Sequence, residues 1–423
     1  MRKKMLCAAV LAALMLCAGC ADFSVEDKLT APALSADQSA VEAALGSLGQ
    51  KITLIYPASG DRRTPVQFLD LDGDADNEAV VFYLDTERET VAHIAILERD
   101  PQGEWQIIST ADGAGEEIES VSVLRVRTVG LRAVLVEWKS AGQSENTLTV
   151  YRYDGAALTD SFSDKCQQSL VYDIDGDGYM EICYLYRSGI SEPYNLCCVQ
   201  LTETAYALLG RVELSGDAMD CLSFIAGRIS SGSYAAVIDE DLGNGYMQTE
   251  IFVVRDGQLQ PMTLADGTSI EELTLRPSSA PVCRELYQDS FIYLPTVREP
   301  QTEVLQPDAW IYWYLLGPDA AHYSRATYIE IGYKLALSVP DAWLGHVLIY
   351  RSDSEPRLIE VQDQTSGEVL LRLKILTAGE DARPYGGDGY SQIAQSGVYR
   401  YYLQTACSEE ERDAIIKNFI VLG

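Results

Sequence analysis

The sequence predicts a mainly β protein in which a domain of repeated short strands is followed by a small α+β C-terminal domain. A nine-residue acidic segment that begins at Asp70 recurs at Asp173, and each copy runs directly into an apolar, β-branched stretch typical of a strand. Such stretches recur about every 50 residues up to residue 326, a period typical of repeat architectures. From residue 327 the pattern changes to several strands closed by one helix, which is typical of an α+β domain.

The chain begins with a pattern typical of an export signal. Basic residues at positions 2–4 precede the apolar run Met5–Cys17, and Ala18-Gly19-Cys20 follows. A basic start, a short apolar core and small residues before a cleavage point are the parts of a secretory signal. The run is too short to span a bilayer by itself.

The Ala-Gly-Cys ending resembles a bacterial lipobox, although Cys17 stands where that motif usually has leucine. The resemblance implies that residues 1–19 are a lipoprotein signal peptide, that Cys20 carries the lipid, and that residues 20–34 are a tether. The protein would then be exported and anchored in the cell membrane, facing the extracellular or periplasmic side. The alternative is an ordinary secreted protein that is cleaved nearby.

The two acidic segments have the spacing of a calcium-binding loop. Alternate carboxylates converge only if the chain curls tightly, which glycine permits, and oxygen ligands suit calcium. Positions 1, 3, 5 and 9 would offer carboxylates, and position 7 its backbone carbonyl. The predicted ligands are Asp70, Asp72, Asp74, Asp76 and Glu78 in the first segment, and Asp173, Asp175, Asp177, Tyr179 and Glu181 in the second. The alternative is a pair of acidic turns that bind no ion.

Neither segment continues as an EF-hand, because Val81 and Tyr184 stand at position 12, where that motif has glutamate. The loop-then-strand pattern instead resembles the FG-GAP or VCBS repeat of integrin-type β-propellers. That resemblance implies a β-propeller-like domain, after a short helix, within residues 35–326, with calcium as its cofactor. Spacings of 55 and 48 residues between the first three copies suit about one four-stranded blade per repeat.

The copy between the two acidic segments has lost its ligands. Residues 123–138 align without gaps on residues 68–83. The aligned ligand positions hold Arg125, Arg127 and Val129. We therefore predict that this copy keeps the shape of the repeat, binds no cation, and tolerates replacement of Arg127 without effect on calcium. Further copies are predicted near residues 223–239 and 286–296.

Residues 327–423 are predicted to form the α+β domain. An alternating strand ends near Pro340 and Trp343, further strands follow, and Ser408 begins a capped C-terminal helix. The segment from Tyr333 to Trp343 is similar to the start of a PsbP-like domain.

Composition and missing motifs argue against several classes of function. With 63 acidic and 32 basic residues, the formal charge of −31 argues against nucleic acid as a partner. The chain has three histidines and lacks the common serine-hydrolase, metalloprotease and phosphate-loop motifs. The sequence therefore favours a lipid-anchored binding or scaffold module, with a protein or carbohydrate ligand at the cell envelope, over an enzyme. The alternative is a surface hydrolase of envelope or dietary polymers that uses paired carboxylates.

Overall fold

The computed structural model describes residues 35–48, 51–86, 91–128, 130–215, 218–230, 232–286, 289–297, 310–317, 320–352, 355–382 and 389–422. The predicted signal peptide, Cys20 and the tether lie outside these residues. Within the described part of the chain, no helix is long and apolar enough to cross a membrane.

The described chain is mainly β, as predicted, and its first four sheets follow one another in sequence. Helix α1 spans Ala36–Leu45. Sheet I contains β1 (Ile52–Leu54), β2 (Val66–Leu69), β3 (Glu78–Asp85), β4 (His93–Arg99) and β5 (Trp105–Asp112). Sheet II contains β6 (Glu117–Arg125), β7 (Arg132–Lys139), β8 (Asn146–Tyr153) and β9 (Leu158–Cys166). Sheet III contains β10 (Gln168–Tyr172), β11 (Glu181–Tyr186), β12 (Asn195–Leu201) and β13 (Tyr206–Glu213).

The remaining strands form three further antiparallel sheets. Sheet IV contains β14 (Asp220–Ser230), β15 (Ser233–Asp241), β16 (Tyr246–Arg255), β17 (Gln258–Pro261) and, after helix α2 (Ile270–Thr274), β18 (Arg276–Pro277). Sheet V contains β19 (Arg284–Glu285), β20 (Ile292–Thr296), β21 (Ile311–Leu316), β22 (Ala321–Glu330) and β23 (Leu335–Ser338). Sheet VI contains β24 (Val347–Ser352), β25 (Glu355–Asp363), β26 (Val369–Thr377), β27 (Ser391–Gln395) and β28 (Tyr399–Thr405). Helix α3 (Glu409–Lys417) follows, and β29 (Ile420–Val421) returns to pair with β23.

The second strand of each repeat (β3, β7, β11 and β15) is mainly apolar because both of its faces are buried. Successive side chains of a strand point to opposite faces. In β7, Val134 and Val136 pack in the core shared with sheet I, whereas Ala133 and Leu135 pack in the core shared with sheet III. The core is therefore a series of layers, each shared by two sheets that follow one another in the sequence.

Helix α1 covers the other face of sheet I. Ser35 Oγ accepts from Gln38 N at 3.1 Å, and Gln38 Oε1 accepts from Ser35 N at 3.0 Å, which together form a capping box. Val41 and Leu45 are buried against β3 and β4. The helix thus closes the first layer at the N-terminal end.

The boundary predicted at 326/327 falls inside strand β22. A single core that includes Trp310 and Tyr328 packs sheet V against sheet VI. On its other side, sheet V packs against sheet IV through Leu316. Sheet V is therefore a layer common to both predicted domains. The predicted C-terminal helix is present as α3, and its capping box joins Ser408 to Glu411.

Candidate metal centres

The two acidic segments occupy equivalent places, since each connects the first and second strands of a repeat. Loop 1 (residues 70–77) joins β2 to β3, and loop 3 (residues 173–180) joins β10 to β11. The degenerate copy supplies loop 2 (residues 126–128 and 130–131) between β6 and β7. Loops 1 and 2 touch: a Cβ atom placed on Gly73 would lie 3.1 Å from Gly130 Cα.

Three carboxylates converge at each acidic loop, and they come from positions 1, 3 and 9. The residues are Asp70, Asp72 and Glu78 at loop 1, and Asp173, Asp175 and Glu181 at loop 3; within each set the ligand oxygens lie within 4.8 Å of one another. Each set is called here the carboxylate cluster of its loop. Convergence of this kind is what the spacing in the sequence predicts.

Backbone N–H groups curl both loops. Asp70 Oδ1 accepts from Gly73 N at 2.8 Å, and Asp175 Oδ1 accepts from Asp177 N at 3.0 Å. At position 6 the backbone has a positive φ, 90° at Gly178 in loop 3 and 76° at Ala75 in loop 1. A left-handed conformation costs a residue with a Cβ atom about 1–2 kcal/mol. Loop 1 therefore carries strain that loop 3 avoids.

The glutamate at position 9 begins the second strand and is buried in both loops. Glu78 Oε2 accepts from Leu71 N at 2.6 Å, and Glu181 Oε2 accepts from Ile174 N at 3.0 Å. Burial raises the pKa of both carboxyl groups to about 7, and neighbouring aspartates add to the effect. A bound cation would favour the ionised form of both groups.

One oxygen of the loop 3 cluster fits a cation especially well. Asp173 Oδ1 is buried and has no hydrogen-bond partner among the described residues. The other oxygen, Oδ2, accepts from Gly178 N at 3.0 Å. A buried polar atom without a partner is unfavourable, and carboxylate oxygens are the ligands that hard divalent cations prefer. Both clusters could therefore hold a metal ion.

The aspartates at position 5 lie outside the clusters. Asp74 Oδ1 accepts from Asp76 N at 2.8 Å, and Asp177 Oδ1 accepts from Tyr179 N at 2.9 Å. Ligation by these aspartates, and by the carbonyl groups of Asp76 and Tyr179, stays a prediction.

The two clusters differ in their polar neighbours. Gln200, which lies opposite Glu181 in the sheet, donates from Nε2 to Glu181 Oε1 at 2.8 Å and to Asp177 Oδ2 at 3.2 Å. At loop 1 the neighbour is another carboxylate, Glu98, whose negative charge helps to raise the pKa of Glu78. The loop 1 cluster therefore lies in a more negative environment.

Loop 2 contributes a cation to loop 3. Arg127 forms an ion pair with Asp177, and its guanidinium lies 5.0 Å from the centre of the Tyr179 ring. Sequence reasoning missed this contact because it treated the degenerate copy as inert. A basic residue at a ligand position, one repeat before an acidic loop, was the available signal.

A cleft of about 810 Å³ borders loop 1. Asp74, Glu78, Glu98 and Trp105 are among the residues that line it. Arg99, which pairs with a carboxylate of α1, lies 4.7 Å from the centre of the Trp105 ring. The cleft thus combines acidic groups with an aromatic wall.

Apart from the two clusters, a further pair of neighbouring carboxylates is buried and closed to solvent. Glu240 and Glu250, on adjacent strands of sheet IV, are both buried. Burial and the negative charge of Glu250 raise the pKa of Glu240 to about 9. Gln248 Nε2 donates to Glu240 Oε2 at 3.1 Å. Because a hydrolase needs carboxylates that its substrate can reach, this pair does not support such an activity.

Comparisons with known proteins assign no family to the chain. No family model and no curated protein matches it, so the likenesses to FG-GAP/VCBS repeats, to the lipobox and to PsbP stay predictions.

Solved structures give only distant likenesses. The exotype rhamnogalacturonan lyase YesX has 14% identity and a TM-score of 0.32, over 76% of this chain and 65% of that one. The Bacillus licheniformis rhamnogalacturonan lyase PL11 has 14% identity and a TM-score of 0.33, over 80% and 68%. The GH93 α-L-arabinofuranosidase of Fusarium graminearum has 11% identity and a TM-score of 0.28, over 84% and 97%. The chain thus spans less than two thirds of YesX, and at these scores the likenesses carry no argument about activity.

Proposed function

We propose that this protein is a lipid-anchored cell-envelope protein whose repeat domain is a calcium-stabilised β-propeller that serves as a binding or scaffold module. The observation that carries the proposal is the convergence of three carboxylates in each of two equivalent loops. Each loop connects two strands of one sheet, so a cation there would fix the turn between them. Its role would be structural rather than catalytic.

Calcium suits these loops better than magnesium. Calcium accepts six to eight oxygens in irregular geometry, whereas magnesium demands a near-ideal octahedron. The carboxylate clusters would supply three ligands each, and backbone carbonyls and water would supply the rest. Extracellular sites bind calcium with dissociation constants of about 10⁻⁴ to 10⁻³ M. At about 1 mM calcium and 10⁻⁴ M affinity, linkage contributes about 1.4 kcal/mol per site.

Thermal unfolding of the full chain with calcium, magnesium or a chelator tests this role. Chelation should lower the melting temperature by a few degrees without unfolding the protein at room temperature. Asp72→Asn and Asp175→Asn should each remove a large part of the calcium-dependent shift, since each disables one of two sites. Asp363→Asn is the matched control, because Asp363 accepts backbone hydrogen bonds in a turn of sheet VI and belongs to neither loop. A melting temperature that changes with neither chelator nor calcium would overturn the proposed structural role of calcium.

The cleft beside loop 1 favours a second candidate, a surface hydrolase with paired carboxylates. Glu78, with its pKa of about 7, could act as a general acid there, with Glu98 as its partner. Against this, Glu78 is itself buried, and Glu181 has the same raised pKa although Gln200 donates a hydrogen bond to it. The feature common to both loops therefore favours the structural role.

A glycan and peptide panel, scored for both binding and turnover, separates the two candidates. Binding without turnover supports the binding or scaffold module. Turnover that Glu78→Gln abolishes and Glu181→Gln spares supports the hydrolase. Loss of calcium binding in both variants, with ligand binding retained, supports the module with structural ions.

A further inference from the structure

Two cysteines face each other across sheet III. Cys183 in β11 and Cys198 in β12 are directly opposed in the antiparallel ladder, and both are fully buried. The Cys183 thiol donates to Cys198 Sγ at a distance of 3.1 Å. Opposed residues in such a ladder have Cα atoms about 4.5 or 5.5 Å apart, within the range of about 4.4–6.8 Å found in disulfides. The ladder therefore already holds the two backbones at bridging distance.

The other buried cysteines have different polar partners. Cys197 points to the opposite face of β12, where Arg211 Nε donates to its Sγ at 3.2 Å. The remaining buried thiols, those of Cys166, Cys221 and Cys283, donate to oxygens of Glu137, Ser223 and Asp239. A thiol–thiol contact is thus a property of the pair Cys183 and Cys198.

We propose that Cys183 and Cys198 form a cross-strand disulfide bond while the exported chain folds. The ladder register and the sulfur–sulfur contact carry the proposal. Disulfides form in the oxidising compartments outside the cytosol, so the cellular setting rests on the proposed export. The geometry does not depend on it, and refolding in vitro tests the bond whether or not the protein is exported.

The oxidant is a low-molecular-weight disulfide or the disulfide of a thiol oxidoreductase. The thiolate of one cysteine attacks it, breaks its S–S bond, releases one thiol and leaves a mixed disulfide on the protein. The thiolate of the second cysteine then displaces the second thiol and closes the protein disulfide. Two protein thiols are oxidised, one reagent disulfide is reduced, and the two protons end on the released thiols.

Burial decides when this exchange takes place. The hydrogen bond from Cys183, together with burial, raises the pKa of Cys198 well above its ordinary value. Since the thiolate is the attacking species, a protonated and buried thiol reacts slowly. Cys198 packs in the core between sheets III and IV, so the bond should form before these two sheets have packed together.

Refolding under two regimes tests the proposal. The full chain is unfolded and reduced, and one sample is refolded with oxidised glutathione while another is folded first and then given the same reagent. Remaining thiols are alkylated after an acid quench, and tryptic peptides are mapped by mass spectrometry. Trypsin separates the two cysteines because it cuts after Arg187. We expect the linked peptides in the first sample, and formation at least about ten-fold slower in the second.

Variants assign the bond, because each of the two tryptic peptides contains a second cysteine, Cys166 or Cys197. Cys183→Ala and Cys198→Ala should abolish the linked pair, whereas the matched controls Cys166→Ala and Cys197→Ala should retain it. Wild-type protein that refolds to a cooperatively melting state without linked peptides overturns the proposal, whatever the variants do. If Cys197→Ala loses the linked peptides and Cys198→Ala keeps them, the bond involves Cys197 and the proposed pair is wrong. Equal rates of bond formation in the two samples would show that the bond does not need to form before sheets III and IV pack.

Discussion

Arg127 of loop 2 forms an ion pair with Asp177 of loop 3. The guanidinium therefore stands beside the loop 3 cluster, although it belongs to the copy that has no acidic ligands. A positive charge there opposes a second cation, whereas the carboxylate of Glu98 beside loop 1 attracts one. We therefore expect loop 1 to bind calcium more tightly than loop 3.

Replacing Arg127 by glutamine should tighten calcium binding at loop 3. The side chains of Arg127 and Asp177 are 40% and 28% exposed, so solvent screens the charge and the gain should be about two- to five-fold in affinity. Titration calorimetry in an Asp72→Asn background, where loop 1 is silent, measures it. Arg125→Gln, an exposed change in the same repeat, is the control. An unchanged or weakened affinity would contradict the role given to Arg127.

Replacing Ala75 by glycine should stabilise the protein by about 1 kcal/mol, because glycine adopts the left-handed conformation of this position without strain. The reciprocal change, Gly178→Ala, should destabilise it by a similar amount. A Cβ atom at Gly178 would meet nothing within 4 Å, so its effect would be conformational alone. Urea unfolding of both variants measures whether the free energy of unfolding rises for Ala75→Gly and falls for Gly178→Ala. If both substitutions change the free energy of unfolding in the same direction, the strain assigned to loop 1 is refuted.

Replacing Glu240 by glutamine should change how stability depends on pH. The pKa of Glu240 is raised from 4.5 to about 9 in the folded protein. The folded state therefore holds this proton more tightly than the unfolded state. The group contributes stability that is fully present below about pH 4.5 and is lost as pH rises through about 9. Glu240→Gln should thus be nearly neutral at about pH 5 and increasingly stabilising, relative to the wild type, as pH rises toward about 9.

Urea unfolding at several pH values measures this difference. Glu250, Glu271 and Cys221 also face Glu240, so their titration is part of the wild-type curve. The exposed Glu272→Gln, in helix α2, is the control. A stability gain for Glu240→Gln that is equal at acidic and alkaline pH would refute the assignment.

A C-terminal fragment that begins at residue 310 should be more stable than one that begins at residue 327. The longer fragment retains Trp310 and Tyr312, which are buried in the core between sheets V and VI. Each such aromatic side chain contributes about 2–3 kcal/mol when buried. Thermal unfolding followed by circular dichroism compares the two fragments. Equal melting temperatures would show that β21 adds nothing to this core.

The sequence predicted features whose parts are close together in the chain. The carboxylate clusters could be predicted because their ligands span nine residues, and the capping boxes at Ser35 and Ser408 because they span four. The ion pair between Arg127 and Asp177 joins residues 50 positions apart, so it depends on how neighbouring sheets pack. The packing of sheet V against both sheet IV and sheet VI could not be predicted either, because a change of sequence pattern near residue 327 does not show which strands pack together.

The layered core has a consequence for a chain that would cross a membrane unfolded and in one direction. These core layers lie between sheets that are consecutive in sequence, so during such export each emerging sheet would pack against the sheet that emerged just before it. Of the described elements, helix α1 would emerge first, and it covers the face of sheet I that packs against none of the later described sheets. The sheets would then assemble in the order in which they emerge. A pause in transport would leave only one apolar sheet face exposed, that of the sheet that emerged last. The last strand, β29, completes the process when it pairs with β23.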